Sequence, residues 1–302
     1  MVLAPDRTST PYEASALERR TYLALVWAQC LIVVTGGLVR LTGSGLGCPS
    51  WPDCVHGSLT PTEHQAQGFH SAIEFGNRML TFALLVVVVL SIVVAMRRQP
   101  RRRSLVLLAW GGVAGVLAQA VLGGITVRTH LNPLTVAAHF LLSMVLIAVA
   151  VALQQRAQDT GDGPPQPVVR TDLRRIAQLL VPAAAVVLVL GTLVTGSGPH
   201  AGDADTHRLS IDPRTLAWLH ADGVLLFTGL AIATRLALRV TDAPATAQRR
   251  VVVLLAVILA QGVIGYTQYF TGVPGGLVAL HVAGACAVWV ATLRVTYALR
   301  TR

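Results

Sequence analysis

Eight apolar stretches, at residues 22–39, 73–96, 105–127, 134–153, 176–195, 215–234, 251–270 and 277–298, constrain this chain more than any other feature. Each approaches or exceeds the roughly 20 residues an α-helix needs to cross about 30 Å of hydrocarbon. The last two form one uncharged run that is too long for a single span. It is divided at Gly272-Val273-Pro274-Gly275-Gly276, because such a run ends helices. With 53% hydrophobic and 13% charged residues, the composition is not that of a water-soluble globule, and the expected fold is an all-α polytopic membrane protein of eight transmembrane helices.

All 24 basic residues are arginine, and 19 of them, from Arg7 to Arg302, fall at the two termini and in the loops after the second, fourth and sixth spans. The positive-inside rule puts those segments and both termini in the cytoplasm. Membrane orientation accounts for the net charge of +10, and no nucleic acid is needed to explain it. No cleavable leader is expected, since a charged, Pro-containing segment precedes the first span and no small-residue cleavage site follows it.

The chain reads as two halves. Gln119 stands twenty residues before His139 and Gln261 twenty before His281, and "GGLVRLTGSG" at 36–45 returns as "GTLVTGSG" at 191–198. The expected organisation is a four-helix half over 1–155, a cytoplasmic linker over 156–175 whose "QDTGDGPPQP" reads as flexible, and a second four-helix half over 176–302. An even number of spans per half gives both copies one orientation, so the expected symmetry is a pseudo-twofold along the membrane normal. The recurrent glycines let helices approach closely in lipid.

All nine histidines, including His56, His64 and His70, fall on the side opposite the arginine-rich loops. Three of them, His139, His220 and His281, lie within apolar helices, where an unpartnered imidazole is costly. Each stands five or six residues beyond a helix start, about 7–9 Å down its axis. Two imidazoles at one depth on facing helices can ligate both faces of a haem iron, which assigns His220 and His281 to a haem site in the second half. In the first half His139 matches His281, but Asn77 falls opposite His220. A haem there is expected to have one strong axial ligand and a vacant or weakly held face. Zinc fits less well, since neither HxxxH nor CxxC is present.

Glu74 and Asp222 are the two carboxylates expected inside spans. Glu74 lies one turn from Asn77 and from Arg78, so it either shields Arg78 as an i,i+4 pair or faces the haem pocket. His70, one turn before Glu74, is placed for proton transfer. Arg40, Arg78 and Arg128 either snorkel or hold haem propionates. Cys48 and Cys54 enclose Pro49, Trp51 and Pro52 on the oxidising side, where a disulfide is expected. Cys30 and Cys286 read as packing residues.

The composite of "GGLVRLTGSGLGCPSWPDC", "IEFGNRM", "NPLTVAAH", "LAWLH" and "GGLVALH" resembles the haem A synthase family across essentially the whole chain. That family oxidises the C8 methyl of haem O to a formyl group, making haem A for cytochrome c oxidase. The resemblance implies a resident haem b on His220 and His281, haem O near His139, Glu74 as the catalytic carboxylate, and Cys48 and Cys54 as the outer-loop pair. It also implies a bacterial plasma membrane with the haem sites toward the outer face, and haem O synthase and oxidase assembly factors as partners; a homo-oligomer is compatible with it. The family's Glu-x-x-His-Arg motif here reads Glu74-Phe75-Gly76-Asn77-Arg78, which suits a one-histidine substrate site or one that His70 or water completes. The alternative reading is a non-catalytic membrane carrier of electrons with two b haems.

Overall fold

The computed structural model describes residues 14–63 and 65–302; Arg7 and His64, both used above, lie outside the described residues. Its helices are α1 (Ala16–Leu41), α2 (Phe69–Arg97), α3 (Arg103–Arg128), α4 (Pro133–Arg156), α5 (Thr171–Gln178), α6 (Leu180–Ser197), α7 (Pro213–Val240), α8 (Ala245–Phe270) and α9 (Gly275–Ala298). Counting α5 and α6 as one span, eight are long and apolar enough to cross a membrane. The fifth span is interrupted at Leu179. Pro182 cannot donate the backbone hydrogen bond that would continue the helix through Gln178. The division after Phe270 falls as expected, with Thr271–Pro274 as the connection.

Most helices run past their apolar windows, and in three of them a capping side chain rather than hydropathy sets the start. Asn132 caps α4 through the Leu134 amide (2.9 Å), Asp212 caps α7 through the Thr215 amide (3.0 Å), and Ser15 with Glu18 forms a capping box on α1. Extending α1 brings Glu18 inside a helix, where the sequence reading had only Glu74 and Asp222. Glu18 is buried and pairs with buried Arg98 at 3.0 Å.

In the first half α1 packs on α2 and α4, and α3 packs on α2 and α4; in the second, α6 packs on α7 and α9, and α8 packs on α7 and α9. Contacts between the halves run α1 to α9, α4 to α6 and α4 to α9. Exchanging the halves turns the first of these into the second and returns the third to itself. The Trp289 indole donates to the Met144 carbonyl across this seam (2.8 Å), and Cys30 and Cys286 meet in it as neighbouring free thiols.

The repeat is also written in hydrogen bonds. Gln119 Nε2 donates to the His139 carbonyl at 3.0 Å, and Gln261 Nε2 donates to the His281 carbonyl at 2.7 Å. The turns leading into α4 and α9 share an unusual backbone: His130 and Leu131 at φ 50° and 58°, Gly272 and Val273 at 77° and 60°. Three of those four residues carry side chains in the left-handed region, which tertiary contacts must enforce. Leu131 is buried, packed near Gly45 and Gly202, and the Val273 carbonyl accepts from His200 Nε2 at 2.9 Å.

The linker is anchored rather than free. The buried Arg102 guanidinium donates to the carbonyls of Arg156 (2.6 Å), Asp159 (2.8 Å) and Gly161 (2.6 Å) and to the Asp162 carboxylate (3.0 Å). Arg300 pairs with Asp159 at 3.0 Å, and a two-residue strand β1 (Gln166–Pro167) pairs antiparallel with β2 (Arg300–Thr301). Partial burial raises the Asp162 carboxyl, but hydrogen bonds from the Ser104 hydroxyl and amide and from Arg102 outweigh it and hold the value at about 2. Because that lies below the ordinary 3.8, its contribution is complete above the ordinary value and is lost as pH falls through about 2. Asp162→Asn is therefore expected to speed tryptic cleavage of the linker at neutral pH, by no more than about fivefold because the carboxylate itself is half-exposed, as timed on a gel.

Candidate functional site

Both second-half histidines reach the space inside their helix bundle. His220 stands seven residues into α7, and its Nδ1 donates to the Val187 carbonyl on α6 at 3.1 Å. That bond fixes the proton on Nδ1 and leaves Nε2 as a lone-pair donor. Gly191, one turn along α6, lets the ring lie close: a Cβ there would stand 3.3 Å from the imidazole Cε1. His281 on α9 lies against Gly265 of α8 in the same way, at 3.1 Å.

The two imidazole centroids are 6.3 Å apart, with the rings inclined at 66°. An imidazole nitrogen binds a first-row metal at about 2 Å, and each ring centre lies roughly 1 Å behind its nitrogen. Two imidazoles on opposite faces of one metal atom are thus about 6 Å apart, and His220 and His281 fit that spacing. His281 Nδ1 is buried without a hydrogen-bond partner. Gly265→Val would drive methyl groups into the His281 ring. We expect it to weaken metal retention in this half by about tenfold, measured by haem absorbance per protein after washing in detergent.

The first half repeats the frame with one substitution. His139 lies against Gly123 of α3, where a Cβ would stand 3.2 Å from its Cε1, and its Nδ1 is buried without a partner. Gly36 of α1, the repeat counterpart of Gly191, would place a Cβ 3.9 Å from Asn77 Nδ2. Asn77 therefore occupies the setting that His220 has in the other half, and its Oδ1 is buried without a partner.

Beside Asn77, buried Glu74 ties α2 to the cysteine loop. One carboxylate oxygen accepts from the Cys48 amide at 2.7 Å and the other pairs with Arg78 at 2.7 Å. Arg78 also donates to the carbonyls of Asp53 (3.1 Å), Cys48 (3.0 Å) and Ser50 (3.1 Å). The i,i+4 pair anticipated from sequence is present, and it is one part of a larger anchor. Cys48 and Cys54 form a disulfide. Trp51, between them, lies flat on Gly124 of α3, where a Cβ would fall 2.3 Å from the indole, and Arg128 lies over the same ring and donates to the Trp51 carbonyl at 3.0 Å.

Other candidate residues stand apart from this centre. His70 is exposed, and its Nδ1 meets the Ser44 hydroxyl at 2.8 Å, so it braces the start of α2. Arg40 bridges the halves, donating to the carbonyls of His200 and Thr195, the latter at 2.8 Å. Arg40, Arg78 and Arg128 thus all hold loop backbone. Asp222 is exposed on α7. Sequence reasoning missed Gly47, where a Cβ would fall 2.2 Å from the His70 carbonyl, and the role of Gln119 and Gln261 as braces beneath His139 and His281. Those glutamines were visible as markers of the repeat.

The COX15-CtaA family model, described as cytochrome oxidase assembly protein, matches residues 19–293. Among similar proteins, a "Heme A synthase" of Geobacillus thermodenitrificans is 31% identical over 150 residues, 44% of this chain and 45% of that relative. The chain thus spans less than half the length of that relative. Two others align more fully: "Heme A synthase" of Sinorhizobium fredii is 25% identical over 321 residues, 89% of this chain and 86% of the relative, and that of Caulobacter sp. is 28% identical over 321 residues, 90% and 92%. With a match over nearly its whole length and eight helices able to cross a membrane, the chain is a multi-pass membrane protein and belongs to the COX15-CtaA family of cytochrome oxidase assembly proteins.

Proposed function

We propose that this protein is a haem A synthase that oxidises the C8 methyl of haem O to a formyl group. The observation that carries the reading is the opposed His220–His281 pair, 6.3 Å between ring centres, repeated in the other half with Asn77 in place of one imidazole. His220 and His281 would hold a resident haem b, which supplies one-electron transfer when bound. His139 would hold the substrate haem O, with Asn77 facing it and Arg78 anchoring the loop beside it, while His70, turned to Ser44, would lie outside the pocket at the start of α2. The two halves, over 1–155 and 176–302, are related in this account by a pseudo-twofold along the membrane normal.

With water as the oxygen source, converting a methyl to a formyl group releases four electrons and four protons, and the electrons would leave one at a time through the haem held by His220 and His281 to an external oxidant such as dioxygen or a membrane quinone. Positive charge builds on the carbon as electrons leave, and a carboxylate in a low-dielectric setting stabilises it more than water does. Glu74 is the buried carboxylate nearest Asn77 in sequence on α2, and Arg78 with the Cys48 amide holds it in one position. The disulfide loop is pinned to α2 and α3 by Arg78, Trp51 and Arg128 beside this carboxylate. The haem sites face the outside of the plasma membrane and both termini the cytoplasm, following the arginine distribution. Haem O synthase and oxidase assembly factors are the expected partners, and a homo-oligomer is compatible with the arrangement.

The relatives' names favour this reading over a non-catalytic di-haem carrier. The test is co-expression with a haem O synthase, followed by acid extraction of haems. Haem A or hydroxylated haem O is expected. Extracts holding haem b alone would refute the synthase reading.

A further inference from the structure

The two halves set different side chains in equivalent surroundings. Gly36 and Gly191, repeat-related on α1 and α6, stand against Asn77 and His220 respectively, and Gln119 braces His139 as Gln261 braces His281. Resting on the synthase reading for a porphyrin in the first half, we propose that this half holds it by His139 alone. Its opposite axial face is then an exchangeable position for a small ligand that the Asn77 carboxamide hydrogen-bonds.

Three observations carry this. An amide is a poor iron ligand beside the imidazole, thiolate, thioether and phenolate groups that haem proteins use. Asn77 Oδ1 is buried with no partner, a state that costs free energy until a donor fills the adjoining space. The described candidates on α2 are committed elsewhere: His70 is turned to Ser44 and lies seven residues, about 10 Å, along the helix, and Glu74 is held by Arg78 and the Cys48 amide. In the second half His220 fills the equivalent place and opposes His281. One half is closed to small ligands and the other is open.

The test uses the haem-loaded, purified protein, with cyanide as the probe and optical and electron paramagnetic resonance spectra as the readout. One low-spin haem untouched by cyanide and one high-spin haem that turns low-spin on cyanide binding are expected. Asn77→His should abolish the high-spin signal and the cyanide response, while Asn77→Leu should keep the high-spin signal and weaken cyanide binding by about tenfold, the worth of one hydrogen bond that Asn77 Nδ2 donates to the bound cyanide nitrogen, as Oδ1 would accept one from a bound water. Two cyanide-insensitive low-spin haems in the unsubstituted protein, or the absence of a second haem, would overturn the proposal, as would a high-spin signal that persists in Asn77→His. If Asn77→His fails to fold, the unsubstituted protein and Asn77→Leu still decide. Haem A in the same extracts reports separately on the synthase reading: haem A with two low-spin haems sinks only the open site, and an open site without haem A sinks only the synthase.

Discussion

His281→Ala is expected to strip the second half of its haem, lowering retention by more than about 100-fold, since even residues behind a metal ligand contribute 10- to 100-fold. Little else in the half can replace the ring. His220 is already committed through Nδ1 to the Val187 carbonyl, and Gly265 and Gly191, which lie against the two imidazoles, offer no donor atom. The measurement is the low-spin haem absorbance per protein of material purified in detergent. His139→Ala, tested in parallel, should leave that band in place, because His139 lies in the other half. A low-spin haem retained in full by His281→Ala would contradict the assignment of the pair.

Glu74→Gln is expected to reduce the ratio of haem A to haem O in extracts by about 10²- to 10³-fold, the usual cost of removing one preorganised group that stabilises charge in a transition state. Glutamine keeps the shape and can still accept the Cys48 amide hydrogen bond, so the loop should stay in place. That separates the charge of Glu74 from its anchoring. Reduction of Cys48–Cys54 by a water-soluble thiol, followed by alkylation and mass measurement, reports on the loop. Unchanged haem A formation with a loosened loop would make Glu74 a structural anchor only. Breaking a buried ion pair leaves its partner uncompensated, so Arg78 should then be the residue whose loss matters more.

How much of this was legible in the sequence depended on the range of the interaction. The eight helices were, because a bilayer demands about twenty apolar residues in a row, and the break before Gly275 was, because a Gly- and Pro-rich run cannot continue a helix. The repeat was legible from Gln119–His139 and Gln261–His281, since the hydrogen bond between those residues fixes their spacing. Helix ends were less so: Glu18 fell outside the apolar window, and its burial depends on Arg98 from another helix. The anchoring of the linker was not legible, because its polar, Gly- and Pro-rich composition says nothing of Arg102 and the Arg300–Thr301 strand that contact it. At the site, the residue types of Glu74, Asn77 and His139 pointed to a pocket. That Arg78 spends its donors on the carbonyls of Cys48, Ser50 and Asp53 required the fold of the loop.

The central claim is that one porphyrin lies between the imidazoles of α7 and α9. An electron cryo-microscopy map of the protein purified with its haem tests it directly. The account predicts planar density for one macrocycle between His220 and His281, with both rings pointing at its centre. A map in which those rings hydrogen-bond neighbouring helices, with nothing between them, would contradict it.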